Sequence, residues 1–293
     1  MAKLDYIVNP FWGLHGIRHM ALLRLRDPGK RAAVSRFLAR MKPAKIKASQ
    51  KALAQTAELQ RDGFVMLPGA YSNELLTRVR DKLLARECFD PYHPERGTFA
   101  LDDAPAEANV VNVLEPETLP EVIQIANDPE VLQVVSEYLG CKPLINDLEA
   151  WWSLPDRPAP REAQNFHRDN DAIRFVKLFI YLTDVGDADG PHMFVKGSHR
   201  SQKLLAEGVR LSDAEVEAAH TPDEIMRFTG PFGTTFLEDT FGIHKGELPK
   251  ANRRLILQVR YTLIPSCFVR KGKLKADPTG YDPYVNHWIK ARG

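Results

Sequence analysis

The chain has 293 residues, 44% of them hydrophobic and 27% charged, with a formal net charge of +2. Such values allow a substantial buried core and exclude a disordered, collagen-like or disulfide-scaffold chain. Three scattered cysteines (Cys88, Cys141, Cys267), no apolar run of about eighteen residues and no secretory-signal pattern predict a soluble cytoplasmic protein in a reducing compartment.

Charge is unevenly spread along the chain. Residues 1–51 carry twelve Lys/Arg against Asp5 and Asp27, a net of +10, which leaves −8 for the remainder. Within 11–51, Leu22, Leu23, Leu25, Val34, Phe37, Leu38 and Met41 recur at near-helical spacing among arginines and lysines. Asp27-Pro28-Gly29 breaks that run into two helices. Two readings follow. One is an amphipathic pair packed on the main domain with its basic face in water. The other is a surface that meets anionic membrane lipid, an acidic carrier or another polyanion. His15 and His19 stand four residues apart but have no third ligand nearby. No specific nucleic-acid binding is expected.

Further on, Leu59 to Gly69 reads as a helix end, a glycine stop and a short strand. Ser72 then caps a helix over Glu74–Arg86, and 88–108, rich in Pro, Asp and Gly, reads as a loop. Residues 118–139 read as one helix closed by Gly140, followed by a strand over Leu144–Leu154. From Phe166 onward the pattern is of short strands between turn residues: Lys177–Thr183, His192–Lys196, Thr234–Glu238 and Leu255–Leu263. Residues 203–228 interrupt them as a polar helical insertion. This predicts a mainly β, α+β fold, a sandwich or jelly-roll barrel with flanking helices. The division is a basic helical segment (1–54), a barrel domain (55–270) and a C-terminal tail (271–293) laid over the surface.

The chemistry centres on His167-Arg168-Asp169, just before the apolar run Phe175–Leu182. On a strand, side chains at i and i+2 share a face, so His167 and Asp169 can present an imidazole and a carboxylate to one metal ion. Alone the pattern is weak: nine histidines and 38 acids in 293 residues give about one His-x-acid match by chance. Downstream, His244 follows the strand Thr234–Glu238 and can return to the same metal. Two histidines and a carboxylate with open positions make a non-haem iron(II) site. Beyond it, Arg254, Ile256, Gln258 and Arg260 share one strand face, which would line the barrel interior. Arg253 would turn outward. His192 reads as a barrel-wall residue and His199 as a structural hydrogen-bonding one.

Taken together, His167-Arg168-Asp169, Gly190-Pro191, Lys196 to Arg200, His244-Lys245-Gly246 and Arg254 to Gln258 resemble the phytanoyl-CoA dioxygenase-like family of Fe(II)/2-oxoglutarate oxygenases. Arg61 to Gly69 resembles that family's entry strand, and the match runs over roughly residues 55–265. The resemblance implies a double-stranded β-helix, the cupin-like form of the jelly roll, with His167, Asp169 and His244 as iron ligands. It implies Fe(II), 2-oxoglutarate and O2 as cofactor and cosubstrates, with Arg254 on the distal carboxylate and Tyr181 beside the cosubstrate. An arginine fork binds a carboxylate bidentately, which suits that role. Relatives that halogenate have a small residue in place of the aspartate, so Asp169 points to hydroxylation or desaturation.

Arg174, Lys177 and Arg260 are candidate contacts for an anionic substrate, either a small molecule or one linked to a lipid or carrier. Trp151 and Trp152 either sit in the core or floor the substrate pocket. Two rival readings are a cupin-like metal isomerase or hydrolase that uses no 2-oxoglutarate, and a non-catalytic barrel binding module. Arg254 discriminates against the first, which needs no clamp for a distal carboxylate.

Overall fold

The computed structural model describes residues 24–205, 210–265 and 276–289. Leu22, Leu23, His15, His19 and Cys267 lie outside them. The first described helix, α1 (Pro28–Ala39), starts where Asp27 accepts a bond from Lys30 N and Pro28 occupies the first turn, so the expected break at Asp27-Pro28-Gly29 is a helix start. Helix α2 (Gln50–Asp62) is capped by Ser49 and stops at Gly63, whose φ is +90°. A Cβ at Gly63 would lie 2.6 Å from His199 Nδ1 and 2.7 Å from the Phe194 ring, so both backbone and packing require glycine there. The boundary expected between 54 and 55 falls inside α2, which packs on the main body.

Strand β1 (Phe64–Met66) and helix α3 (Asn73–Leu84) follow. The segment read as a loop holds two paired two-residue strands, β2 (Cys88–Phe89) and β3 (Thr98–Phe99), and leads to β4 (Val110–Val113). The helix expected over 118–139 is two, α4 (Pro120–Ala126) and α5 (Pro129–Leu139). Proline disfavours helical backbone in the residue before it, and Asp128 instead caps α5 by accepting from Val131 N. Then come β5 (Leu144–Ser153), β6 (Phe166–His167), β7 (Phe175–Tyr181), β8 (His192–Val195) and β9 (Arg210–Leu211). Helix α6 (Asp213–Ala219) and strands β10 (Ile225–Phe228), β11 (Thr235–Glu238), β12 (His244–Gly246) and β13 (Arg254–Thr262) complete the described chain.

The strands form two antiparallel sheets, β1-β11-β7-β13-β5-β4-β2-β3 and β10-β8-β12-β6-β9. This is the jelly-roll arrangement the strand pattern predicts. The helical insertion expected over 203–228 is mostly not helical. Among its described residues it contributes β9 and β10 to the edges of the smaller sheet, with α6 and a single 3-10 turn (Pro222–Glu224) between them. The C-terminal residues are also not laid over the surface. Ala276, Val285 and Ile289 are buried in the main core, and Asn286 exchanges side-chain hydrogen bonds with Asn127. Cys88 and Cys141 are buried free thiols, and burial pushes both up to about 11. No helix among the described residues is long and apolar enough to cross a membrane.

The core explains why β7 and β13 are buried on both faces. Leu178, Ile180, Leu255, Leu257 and Val259 point to the helices and join Leu59, Leu76, Val79, Val122 and Val135 in one cluster. Phe179, Tyr181 and Ile256 point the other way and meet Phe194, Phe228 and Phe236 between the sheets. Leu257→Ala is expected to destabilise the protein by about 2–5 kcal/mol in urea unfolding. Phe37→Ala, at a position 62% exposed, is expected to change it by no more than about 0.5 kcal/mol.

Candidate metal centre

Strand β6 pairs with β12 so that His167 and His244 stand directly opposite each other. Directly opposed residues put their side chains on the same face, and the two imidazole centroids are 4.3 Å apart. Asp169 completes the group by a different route from the one expected. The strand ends at His167, so i, i+2 alternation does not orient Asp169. Its backbone N–H donates to Thr240 O at 2.8 Å, which ties it to the loop leading into β12. His167 Nε2 then lies 3.4 Å from Asp169 Oδ1, and His244 Nε2 lies 3.6 Å from Oδ2. All three donor atoms are within 4.8 Å of one another. Bonds of about 2 Å from one ion at right angles need donors about 3 Å apart, so little movement separates this arrangement from a metal site.

The protonation states suit the same role. His167 Nδ1 lies 2.9 Å from Asn165 O, and His244 Nδ1 lies 3.0 Å from Gly242 O. Each ring thus donates from Nδ1 to the carbonyl two residues earlier and leaves an Nε2 lone pair facing Asp169. Burial, with His167 adding to it, holds His244 well below the usual histidine range and hence neutral. Burial alone would raise the Asp169 carboxyl. Against it, the Lys177 ammonium is the largest influence, and Asp169 is kept well below the usual carboxylate range.

Arg254 opens β13 on the same cavity, only 2% exposed. It donates from Nη1 to Gly190 O and from Nη2 to Ser153 Oγ at 3.1 Å, and its Nε has no partner. No carboxylate among the described residues lies within ion-pair distance of it, and burial lowers its pKa. Gly246 makes the space, since a Cβ there would lie 2.8 Å from Arg254 Nη2. A buried guanidinium without a counter-ion is costly, and a carboxylate ligand would supply the missing charge. Arg253 does turn outward, to Asp102 at 2.7 Å.

The cavity of about 260 Å³ holds the three candidate ligands and Arg254 together with Tyr92, Asn112, Glu149, Trp151, Gln164, Phe179, His192 and Gln258. Several expected contacts need correction. Tyr181 is not on the cavity wall; its hydroxyl donates to Phe228 O and accepts from His192 N, and Phe179, two residues earlier, lines the wall instead. Trp152 faces the helix-side core, because β5 alternation turns Trp151 and Ser153 inward. Arg174 precedes β7 on the outward side, with its guanidinium 4.2 Å from the Tyr138 ring. Arg260 is buried between Asp147 and Asp171 at 2.8 and 2.9 Å and does not line the cavity. Lys177 does line it, but its ammonium is held by Asp169 at 2.6 Å and Asp171 at 3.0 Å. His192 is on the wall as expected, and His199 Nε2 meets Gln60 O at 3.2 Å. Trp151, Glu149, Phe179 and Gln258 were open to sequence reading by counting twos along their strands. Asn112 and Gln164, on a short strand and a turn, carry no such signal.

The phytanoyl-CoA dioxygenase family model matches residues 59–246. No curated protein matches the chain. Among solved structures it is similar to HygX from Streptomyces hygroscopicus, solved with nickel, 2-oxoglutarate and hygromycin B bound. The identity is 17% and the TM-score 0.55, over 79% of this chain and 95% of that one. It is also similar to SnoN, a non-haem α-ketoglutarate-dependent epimerase from nogalamycin biosynthesis, at 20% identity and TM-score 0.52 over 80% and 92%. A third similar structure is EvdMO1, at 18% identity and TM-score 0.51 over 72% of this chain; the match spans half the length of EvdMO1. At these identities the likeness is one of fold.

A buried acid beside the wall residue His192 gives a pH test. Glu238 is fully buried, 2.9 Å from His192 Nε2 but off the line of a hydrogen bond. Burial, with Asp169 adding to it, raises its carboxyl well above the usual range, so it is protonated in the folded state. A raised acid binds more protons folded than unfolded. Its contribution is therefore intact below about pH 4.3 and is lost as pH rises towards the folded pKa. Glu238→Gln is expected to remove this loss. Urea unfolding of both proteins from pH 5 to 8 should show the variant gaining on the parent by up to about 1.4 kcal/mol per pH unit.

Proposed function

The chain belongs to the phytanoyl-CoA dioxygenase family of iron- and 2-oxoglutarate-dependent oxygenases, and from that premise we propose that it hydroxylates an unactivated C–H bond of a small polar molecule. The observation that carries this reading is the pairing, in one cavity, of the His167, Asp169 and His244 donor set with a buried Arg254 that lacks a counter-ion. A metal isomerase or hydrolase would have no use for that guanidinium.

His167, Asp169 and His244 would hold iron(II) through two neutral imidazoles and one carboxylate, leaving positions for cosubstrate and oxygen. When bound, iron(II) supplies oxygen activation at the expense of 2-oxoglutarate: substrate, O2 and 2-oxoglutarate become hydroxylated substrate, succinate and CO2. Arg254 orients the cosubstrate by pairing with its distal carboxylate, while Ser153 Oγ and Gly190 O keep the guanidinium plane from turning. Asp169 fills the position a halide would need, which favours hydroxylation over halogenation. Lys177 bonds Asp169 Oδ2 and so favours coordination through Oδ1. Trp151 and Phe179 supply apolar wall, and Asn112, Gln164, Tyr92 and Gln258 supply hydrogen-bonding groups for a polar substrate. An anionic substrate is not favoured, because carboxylates already neutralise Lys177 and Arg260.

Anaerobic addition of Fe(II) and 2-oxoglutarate is expected to give a visible charge-transfer band that is abolished in His167→Ala. Arg254→Ala is expected to raise the 2-oxoglutarate concentration for half-maximal absorbance at least about a hundredfold, since breaking a buried charge pair costs about 3–5 kcal/mol. Absence of the band in the parent protein, or its survival in His167→Ala, overturns the reading. With a candidate substrate, a product heavier by one oxygen separates hydroxylation from epimerisation, which leaves the mass unchanged.

A further inference from the structure

A second cavity, about 200 Å³, lies between α1, α5 and the turn after β8 and shares no lining residue with the first. Arg31, Arg174 and Arg200 line it, with His199 and a single carboxylate, Asp239. Arg168 does not line it, but its guanidinium stands 5.6 Å from the Phe241 ring of that wall. Asp239 does not neutralise them. One of its oxygens accepts from the Tyr138 hydroxyl and the other from Phe241 N, and among the described residues none of the four arginines forms an ion pair. Arg31 donates to Leu25 O, Asn170 Oδ1 and Ala172 O, Arg168 to three carbonyls, and Arg200 to Arg61 O. These neutral partners satisfy N–H groups without cancelling charge.

One polar group on this wall is unsatisfied. Among the described residues the Arg174 guanidinium makes no hydrogen bond, its Nε is buried, and its close partner is the Tyr138 ring at 4.2 Å. Burial pushes both Arg31 and Arg168 down to about 10, only partly offset by Asp239, as expected where positive charge gathers without a counter-ion.

We propose that this cavity is a binding site for a phosphate group, separate from the candidate metal centre. Its lining arginines come from α1, from the segment before β7 and from the turn after β8, so three separate elements contribute arginines to one small cavity. A tetrahedral group with three acceptor oxygens matches that arrangement better than a planar carboxylate does. The phosphate belongs either to a soluble phosphate ester or to a phospholipid headgroup. Helix α1 and the turn after it bear on the second source, because they expose Phe37 and Met41 (62% and 60%) beside Arg36 and Arg40.

Calorimetric titration of the full chain with inorganic phosphate tests the site. Saturable binding is expected, weakened at least tenfold in Arg174→Gln and in Arg200→Gln, partly restored in Arg174→Lys and unchanged in His167→Ala. The Arg200 variant, at an exposed position, keeps the test valid should Arg174→Gln fold poorly. No saturation by about 10 mM, equal affinity in the folded Gln variants, or a loss confined to His167→Ala would each overturn the proposal. Sedimentation with phosphatidylglycerol or phosphatidylcholine vesicles then separates the two sources. Binding to either vesicle that needs Arg174 assigns a lipid headgroup, and phosphate binding without vesicle binding assigns a soluble ester.

Discussion

The candidate centre depends on keeping one partly buried carboxylate ionised. Asp169 is mostly covered by protein, and burial by itself would raise its pKa and weaken its use as a metal ligand. The fold answers with a chain of alternating charges: Asp169 to Lys177, Lys177 to Asp171, Asp171 to Arg260, Arg260 to Asp147. Each link is between 2.6 and 3.0 Å long. Buried ion pairs rarely repay their desolvation in stability, so such a chain is better explained by the state it imposes on Asp169 than by what it adds to folding. It also explains why the cations on these strands are not free to meet a substrate.

Strand β13 joins the core to the chemistry. Its helix-side residues, Leu255, Leu257 and Val259, lock it into the main cluster, while Arg254 and Gln258 on the other face reach the cavity. Because the strand is paired on both sides, with β5 and β7, Arg254 cannot shift along the sheet without breaking both ladders. The guanidinium is therefore held in place, and binding of an anion there would leave little to order. The same pairing brings Trp151 and Glu149 of β5 to the wall beside it.

Much of this was legible in the sequence because β alternation is a strict period of two. The strands around 144–154, 177–183, 234–238 and 255–263 lie where the apolar pattern puts them, and Arg254 and Gln258 share the interior face as counted. The errors have local physical causes. A proline at 129 split one helix into two, and two-residue strands such as β2, β3 and β9 are too brief to show a period. Trp152 and Tyr181 were misplaced although each has a neighbour on its strand, Trp151 and Phe179, that does line the cavity.

By itself, then, the sequence determined the strand faces, the candidate ligands and the interior position of Arg254, because these follow from residue type and local periodicity. Tertiary structure alone decided how they meet. His167 reaches His244 through strand register across 76 intervening positions. Asp169 is aimed not by its own strand but by a bond to Thr240. Whether a lysine or arginine is free or spoken for likewise depends on acids far away in the chain, as Arg260 with Asp147 and the unpaired Arg174 show. Charge compensation is a through-space property, and no local pattern encodes it.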